Sequence, residues 1–355
     1  MSVFRLTSYP AGDGDCLLLS YGTEAKLRHI LIDGGRRSTY AFLRPDLEKI
    51  AKRKEVIELH VLTHVDADHI EGMLALADDP ELPVGPKHVW YNGFDQMQQL
   101  PTALRPFSVR QGDAYSAALK SLNWPLNEIA NGNAISTDGF AAPIDFAGLN
   151  ITFVSPDNAH LQAMRGVWTA WRTERAAKVA ARNIGGLEAM GRKPMPAILD
   201  VATLSALPES VDPEAPNGSS IAFIAEFGGK RVLLAGDAHT DLLEQTVGAL
   251  AAKDGGRLKV DLFKLSHHGS KKNIGRKLIE MLDCSRYLIS TDGRIHGHPD
   301  PEAIARLLAF GPKVRKTLFF NYETERTKPW NDAALEAQWN YECEFGGGKP
   351  MTIDI

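Results

Sequence analysis

An α/β domain interrupted by insertions is what this sequence predicts, and three observations predict it. In the first third of the chain, short apolar runs stop at turns of Gly and Asp. The last third returns to the same alternation of strand and turn. Between them lie a longer helical pattern and a run of prolines. Short apolar runs bounded by Gly and Asp favour strands over helices, because a strand crosses a core in few residues.

Taken in order, Val3 to Ser8 is a first strand, leading to the turn Gly12-Asp13-Gly14-Asp15, and Cys16 to Ser20 is a second apolar run. His29 to Ile32 is a third and stops at Asp33-Gly34-Gly35. Glu55 to Thr63 is rich in β-branched residues and ends at a cluster of His and Asp, beyond which IEGMLALADD has helical character. A strand that feeds polar residues into a loop before a helix is where α/β folds place their sites. Residues 100 to 145 hold weak patterns and turn signals and receive no firm assignment. Residues 160 to 183 read as a helix stopped by Gly185-Gly186, and Pro194 to Asn217, with five prolines, as an ordered excursion.

Strands resume at Ser220 to Phe227, at Arg231 to Ala235 (ending in Gly236-Asp237) and at Asp261 to Ser266, which runs into His267-His268-Gly269-Ser270. Tyr287 to Thr291 and Thr317 to Tyr322 follow, with a helix over Asp300 to Phe310 between them. The stretch from Leu318 to Ile355 reads as a closing strand–helix unit. The expectation is one domain over residues 1–355, with about 100–145 and 158–216 inserted.

Charge and cysteine content narrow the function classes. With 40 Lys and Arg against 44 Asp and Glu, the net charge of −4 excludes a globally basic nucleic-acid coat but not a local patch. Cys16, Cys284 and Cys343 are too few and too scattered for a disulfide framework or a cysteine zinc site. No apolar run reaches the roughly 18 residues of a membrane span. The opening MSVFRLTSYPAGDGD lacks a signal-peptide core. A reduced, cytoplasmic protein without membrane contact is therefore expected.

The most informative segment is Thr63-His64-Val65-Asp66-Ala67-Asp68-His69, where four potential metal ligands fall within six residues just after a strand. On a turn, His64 and Asp66 can face one ion while Asp68 and His69 face another. Imidazole with carboxylate and no thiolate suits Zn²⁺, Mn²⁺ or Fe²⁺ in a reactive site, not a zinc finger. The plainer reading is a solvated loop with Asp68 capping the next helix. Two further strand ends weigh against it: LLAGD with Asp237, and KLSHHGS with His267 and His268. A carboxylate such as Asp237 can bridge two ions, and an imidazole can complete the shell.

These segments together resemble the metallo-β-lactamase superfamily, and within it the competence-protein, ComEC-type nuclease-like branch. GDGDCLLL is similar to the family's opening GxGD strand, LIDGG to its first motif, THVDADHIEG to its HxDxDH signature and LLAGD to its motif-four aspartate. SHHGS followed by Gly297-His298-Pro299 resembles the branch's closing motifs. The resemblance runs from residue 12 to 299 in order. It implies an αββα sandwich with a dinuclear site for two divalent ions, Zn or Mn, and a metal-dependent hydrolase, a phosphodiesterase or nuclease, that works through a metal-bridging hydroxide.

Residue by residue, Asp68 and His69 would hold one ion, His64 and Asp66 the other, and Asp237 would bridge, with His267 or His268 completing the shell. Asp66 stands where the superfamily at large has histidine. The third motif reads Pro216-Asn217-Gly218-Ser219-Ser220 and lacks a histidine, leaving Asn217 as a weak substitute. One metal would then bind loosely or prefer Mn²⁺. Asp33 suits an orienting role behind a ligand. His298 is placed to contact a substrate phosphate or protonate a leaving group, and otherwise is a loop histidine. Ser219, Ser220 and Ser270 either bind phosphate oxygens or cap turns.

On the helix at 160–183, Arg165, Trp168, Trp171, Arg172, Arg175, Lys178 and Arg182 fall within roughly 140° of one another. From Leu161 to Met195 seven basic residues face two acidic ones. Charge with interleaved tryptophan suits single-stranded nucleic acid, with Arg165, Trp168, Arg172 and Arg175 as candidate contacts. The alternatives are a solvated basic face, or buried tryptophans with arginine stems lying past them. Two other functions fit the same residues. One is a small-molecule phosphodiester hydrolase of the phosphorylcholine-esterase kind. The other is a metal-binding scaffold that has lost turnover.

Overall fold

The structure is a computed structural model that describes residues 2–98, 109–178, 195–196 and 198–355, with residues 174–178 described by backbone only. The first six-stranded sheet is built from β1 (Ser2–Ser8), β2 (Leu17–Thr23), β3 (Lys26–Ile32), β4 (Val56–Leu62), β5 (Pro86–Tyr91) and β16 (Met351–Asp354). Its order is β16-β1-β2-β3-β4-β5, antiparallel as far as β3 and parallel from β3 to β5. Pairing of Leu6 with Ile353 joins the two ends of the chain in one sheet.

The second, eight-stranded sheet holds β6 (Ile144–Phe146), β7 (Leu149–Ser155), β8 (Ala222–Phe227), β9 (Lys230–Leu234), β11 (Leu262–Lys264), β13 (Arg286–Ile289), β14 (Lys316–Phe320) and β15 (Tyr341–Phe345). A short parallel pair, β10 (Leu258–Lys259) with β12 (Leu282–Asp283), lies apart. Strands β9, β11, β13, β14 and β15 run parallel.

Strand periodicity of two explains the layers. Leu19, Ile30, Leu59 and Val61 of the first sheet meet Phe223, Val232, Leu262 and Leu288 of the second in one buried core between the sheets. Alternate residues point outward. Leu31 and Leu62 pack under α1 (Tyr40–Lys52) and α2 (Ala67–Ala77), beside α3 (Val109–Leu122) and α4 (Asn158–Lys178). On the far face Leu233, Phe263 and Ile289 pack under α7 (Thr240–Lys253), α8 (Arg276–Glu280) and α9 (Pro301–Phe310). The order helix, sheet, sheet, helix is the expected αββα sandwich.

The middle of the chain supplies α3, which the sequence left unassigned. Its buried positions Val109, Gly112, Tyr115 and Leu119 keep a helical spacing, but Gly112 masked the stripe. A Cβ at Gly112 would lie 2.7 Å from the Trp168 ring, so close packing on α4 requires glycine there. The proline-rich excursion folds into the short helices α5 (Val201–Ser205) and α6 (Ala215–Gly218), and Asp200 caps the first by accepting the Thr203 amide. The terminal unit contains α10 (Ala333–Trp339) before β15 and β16. The predicted helix stop at Gly185-Gly186 lies outside the described residues. No helix among the described residues is long and apolar enough to cross a membrane.

Candidate metal centre

Parallel pairing brings the C-terminal ends of β3 and β4 to one edge of the first sheet, and those of β9, β11 and β13 to one edge of the second. The residues that follow these strands meet between the sheets: Asp33 after β3, His64 to His69 after β4, Asp237 after β9, and His267 and His268 after β11. Backbone hydrogen bonds hold helix α2 against the β3 turn. The Gly34 amide donates to His69 O and the Gly72 amide to Gly35 O, both at 2.8 Å. A Cβ on Gly14 would fall 1.7 Å from Asp68 O, so the GDGD turn also rests directly on the ligand segment.

One oxygen organises the site. Asp237 Oδ2 lies 3.4 Å from His69 Nε2, 3.6 Å from His268 Nε2, and 3.8 Å from both His64 Nε2 and His267 Nε2. Each ring is turned by its other nitrogen. The Asp33 carboxylate accepts His69 Nδ1–H at 2.8 Å, and the Ser290 carbonyl accepts His268 Nδ1–H at 2.9 Å. The Thr63 hydroxyl donates to Asp33 Oδ2 at 2.7 Å, so its lone pair accepts His64 Nδ1–H at 3.0 Å. Asp212 and Asn273 carry acceptor oxygens 3.1 Å from His267 Nδ1. With each Nδ1 committed in this way, all four Nε2 atoms point toward Asp237, and a neutral ring held so would offer Nε2 to a metal ion.

On one side, His69 Nε2 and His268 Nε2 stand 3.3 Å apart, with Asp68 Oδ2 3.8 and 3.5 Å from them. A tetrahedral ion with bonds of about 2.0–2.1 Å has ligands about 3.3–3.4 Å apart, so Asp68, His69, His268 and Asp237 fit one ion. On the other side, Asp66 Oδ2 is 3.6 Å from His64 Nε2. Asp66 takes the N-cap position of α2, in place of Asp68, but its side chain does not cap the helix. His64 Nε2, Asp237 Oδ1 and Asn217 Oδ1 are buried without a hydrogen-bond partner. Such orphaned acceptors are costly unless a cation satisfies them.

The electrostatics agree. Burial alone would lower the ring pKa values, but nearby carboxylates outweigh it. Asp237, Asp33 and Asp68 lift His69 well above its ordinary value; Asp237 and Asp15 lift His268 to about 10; Asp237 and Asp212 lift His267 to about 9. Conversely, burial would raise Asp68 and Asp237, yet the surrounding imidazoles hold both below the usual carboxylate range. The pocket demands positive charge, which protons or metal ions can supply.

Both candidate imidazoles of the HHGS turn reach Asp237, on different sides: His268 toward Asp68 and His69, His267 toward Asn217 and Asp212. Asn217 donates to Asp212 at 2.8 Å, which leaves its Oδ1 as the bare atom. His298 stacks edge-on against His267, with ring centres 5.1 Å apart, and burial pushes its pKa down to about 4. Ser219 and Ser270 cap turns, and Ser220 supports the Asp237 backbone. Ser219 donates to Pro216 O at 2.7 Å, Ser220 accepts the Asp237 amide at 3.2 Å, and Ser270 accepts the Lys272 amide at 3.3 Å.

Two supporting groups escaped the sequence reading. Asp15 forms a buried ion pair with Lys264 at 2.7 Å and accepts the Ser290 hydroxyl behind His268. Asp212 gathers Asn217, Asn273 and His267 from the proline-rich excursion. Asp15 was visible in the GDGD turn and Lys264 just before SHHGS. Asp212 had no local signal.

The basic stripe is corrected at Trp168. Trp168 is fully buried and donates Nε1–H to Asp113 at 3.0 Å, so its face is not open for a base to stack on. Arg172 pairs with the same carboxylate at 2.6 Å and lies 3.8 Å over the Phe94 ring. Arg165 is half-buried. The side chains of Arg175 and Lys178 lie outside the described residues, as does Arg182. The helix turns Leu161, Met164 and Trp168 into the core, so Trp168 belongs to packing, and Trp171 is partly buried against the same cluster.

No family model matches the chain. ComE operon protein 3 of Bacillus subtilis (strain 168) is 29% identical over 141 residues, which is 39% of this chain and 17% of that protein, so the match spans under a fifth of its length. Among solved structures, the metallo-β-lactamase fold protein YhfI from Bacillus subtilis aligns over 99% of this chain and 100% of its own, with a TM-score of 0.44 and 11% identity. Human tRNase Z, short form, aligns over 98% of each chain with a TM-score of 0.40 and 12% identity. One of these two neighbours of the αββα sandwich, YhfI, is a metallo-β-lactamase fold protein.

Proposed function

We propose that the protein is a metal-dependent phosphodiesterase, with nucleic acid as the first substrate to test. The observation that carries this reading is the convergence of four Nε2 atoms on Asp237 Oδ2 within 3.8 Å. Asp68, His69, His268 and Asp237 would hold one divalent ion; His64, Asp66, Asp237 and His267, with the Asn217 amide oxygen, would hold a second. In this assignment His267 takes the place of the missing third-motif histidine. Two divalent ions bound there would supply a water of lowered pKa and polarise a phosphoryl oxygen.

The chain's own residues prepare that chemistry. Asp33, Thr63 and the Ser290 carbonyl keep the rings in one tautomer, and Asp237 supplies a shared anion. His298 lies beside His267, where it would contact a phosphate oxygen or leaving group, with Asp300 Oδ2 3.5 Å from its Nδ1. The test is hydrolysis of bis(p-nitrophenyl) phosphate with Mn²⁺ or Zn²⁺ by the parent and by Asp68→Ala. Metal-dependent turnover that disappears in the variant supports the reading. Its absence from folded parent protein with either metal overturns it. Single-stranded DNA and RNA against glycerophosphodiesters then separate a nuclease from a small-diester hydrolase.

A further inference from the structure

Outside the centre, a second group of ligand-type side chains meets where α4 and α7 begin. His160 sits in the first turn of α4, His239 immediately precedes α7, and Asp241 lies in its first turn. Their ligating atoms all lie within 4.8 Å of one another. Each imidazole is fixed from behind. Asp157 Oδ1 accepts His160 Nδ1–H at 2.7 Å, and the Glu214 carbonyl accepts His239 Nε2–H at 2.9 Å. The nitrogens left with lone pairs are His160 Nε2 and His239 Nδ1. The ring centres are 5.2 Å apart at 78°.

Both rings close over Gly218. A Cβ at Gly218 would lie 2.8 Å from His160 Cδ2, 2.8 Å from His239 Cε1 and 3.0 Å from His239 Nδ1. The two lone-pair edges thus face one small space beside the α6 backbone. Asp241 is exposed and can swing toward it, leaving a coordination position open to water. Ring nitrogens pinned by a carboxylate and a carbonyl are the arrangement that orients histidine ligands. Two imidazoles with one carboxylate suit a borderline divalent ion.

The geometry points to a separate site for one divalent ion of the zinc class, held by His160, His239 and Asp241. The ligating atoms lie within 4.8 Å of one another, against the roughly 3.4 Å edge of a tetrahedral zinc site, so modest side-chain rotation closes the set. An ion there ties the start of α4 to the start of α7 around Gly218, the residue after Asn217. It would brace one wall of the principal centre without touching substrate.

Zinc binding by the full chain tests this. Metal-stripped protein is dialysed against zinc, and bound metal is counted in the parent, His160→Ala, Asp241→Asn and Asp68→Ala. The parent is expected to hold one equivalent more than His160→Ala and to bind that equivalent more tightly than Asp241→Asn does. Asp68→Ala should keep the equivalent that His160→Ala loses, so the outcome does not depend on the principal centre. Circular dichroism confirms folding. If His160→Ala does not fold, the exposed Asp241→Asn decides alone. Zinc content and affinity equal to the parent's in the folded variants overturn the proposal.

Discussion

Asp33 and His69 are joined by a fully buried hydrogen bond of 2.8 Å, and the same carboxylate accepts the Thr63 amide and hydroxyl at 2.7 Å each. One side chain thus sets the ring of one ligand directly and that of His64 through Thr63. Asp33 has φ of 55°, a left-handed backbone that Asn tolerates well. Asp33→Asn should fold yet bind zinc about 10- to 100-fold more weakly, the usual cost of losing an orienting partner. Competition with a chromophoric chelator measures it, and parental affinity in the variant would refute the orienting role.

Helix α2 depends on the absence of a side chain at Gly72. A Cβ there would lie 1.8 Å from Gly34 O, in rigid backbone. Gly72→Ala should lose about 1–3 kcal/mol of stability and most metal-dependent turnover, since Asp68 and His69 move with the helix. Gly248→Ala is the control. Its Cβ would meet only the flexible end of Met281, at 3.2 Å, so helix propensity should leave it neutral or up to about 1 kcal/mol more stable. Urea melts of both variants distinguish close approach from a general penalty on alanine.

His60 is buried on β4 with neither ring nitrogen hydrogen-bonded, edge-on to Trp124 at 5.5 Å. Burial pushes its pKa down to about 3, below the roughly 6.5 of an unfolded histidine. The group therefore contributes full stability above pH 6.5, and loses about 1.4 kcal/mol per pH unit as pH falls from there toward 3. His60→Leu should melt higher at pH 7 and show a shallower loss of stability between pH 6 and 4. An unchanged acid slope would show that other groups set it.

Trp168→Ala should cost about 3–5 kcal/mol, as expected for emptying a buried aromatic site. Because Asp113 and Phe94 hold Arg172 against the same surface, Arg172→Ala should also destabilise, by less. Neither should change the affinity of folded protein for single-stranded oligonucleotides. A selective loss of oligonucleotide binding at unchanged stability would restore the stacking reading.

Most strands were legible because their signals are local: alternation, β-branched runs and the Gly/Asp turns that stop them. The same is true of THVDADH, LLAGD and SHHGS, since strand ends crowded with His and Asp have few structural uses. What stayed hidden depends on residues far apart in the chain. His267 and His268 are neighbours in sequence, and only the left-handed turn that carries both, with φ of 47° and 52°, sends them to opposite sides of Asp237. Asp212 carries no local pattern that ties it to the site, and the pairing of Lys264 with Asp15 is invisible locally, because the partners lie 55 and 249 residues away. Trp168 reads as an exposed base-stacker on a helical wheel until Asp113 and α3 cover it. Periodicity says which residues share a face; what lies against that face is decided by packing between segments that the chain order does not reveal.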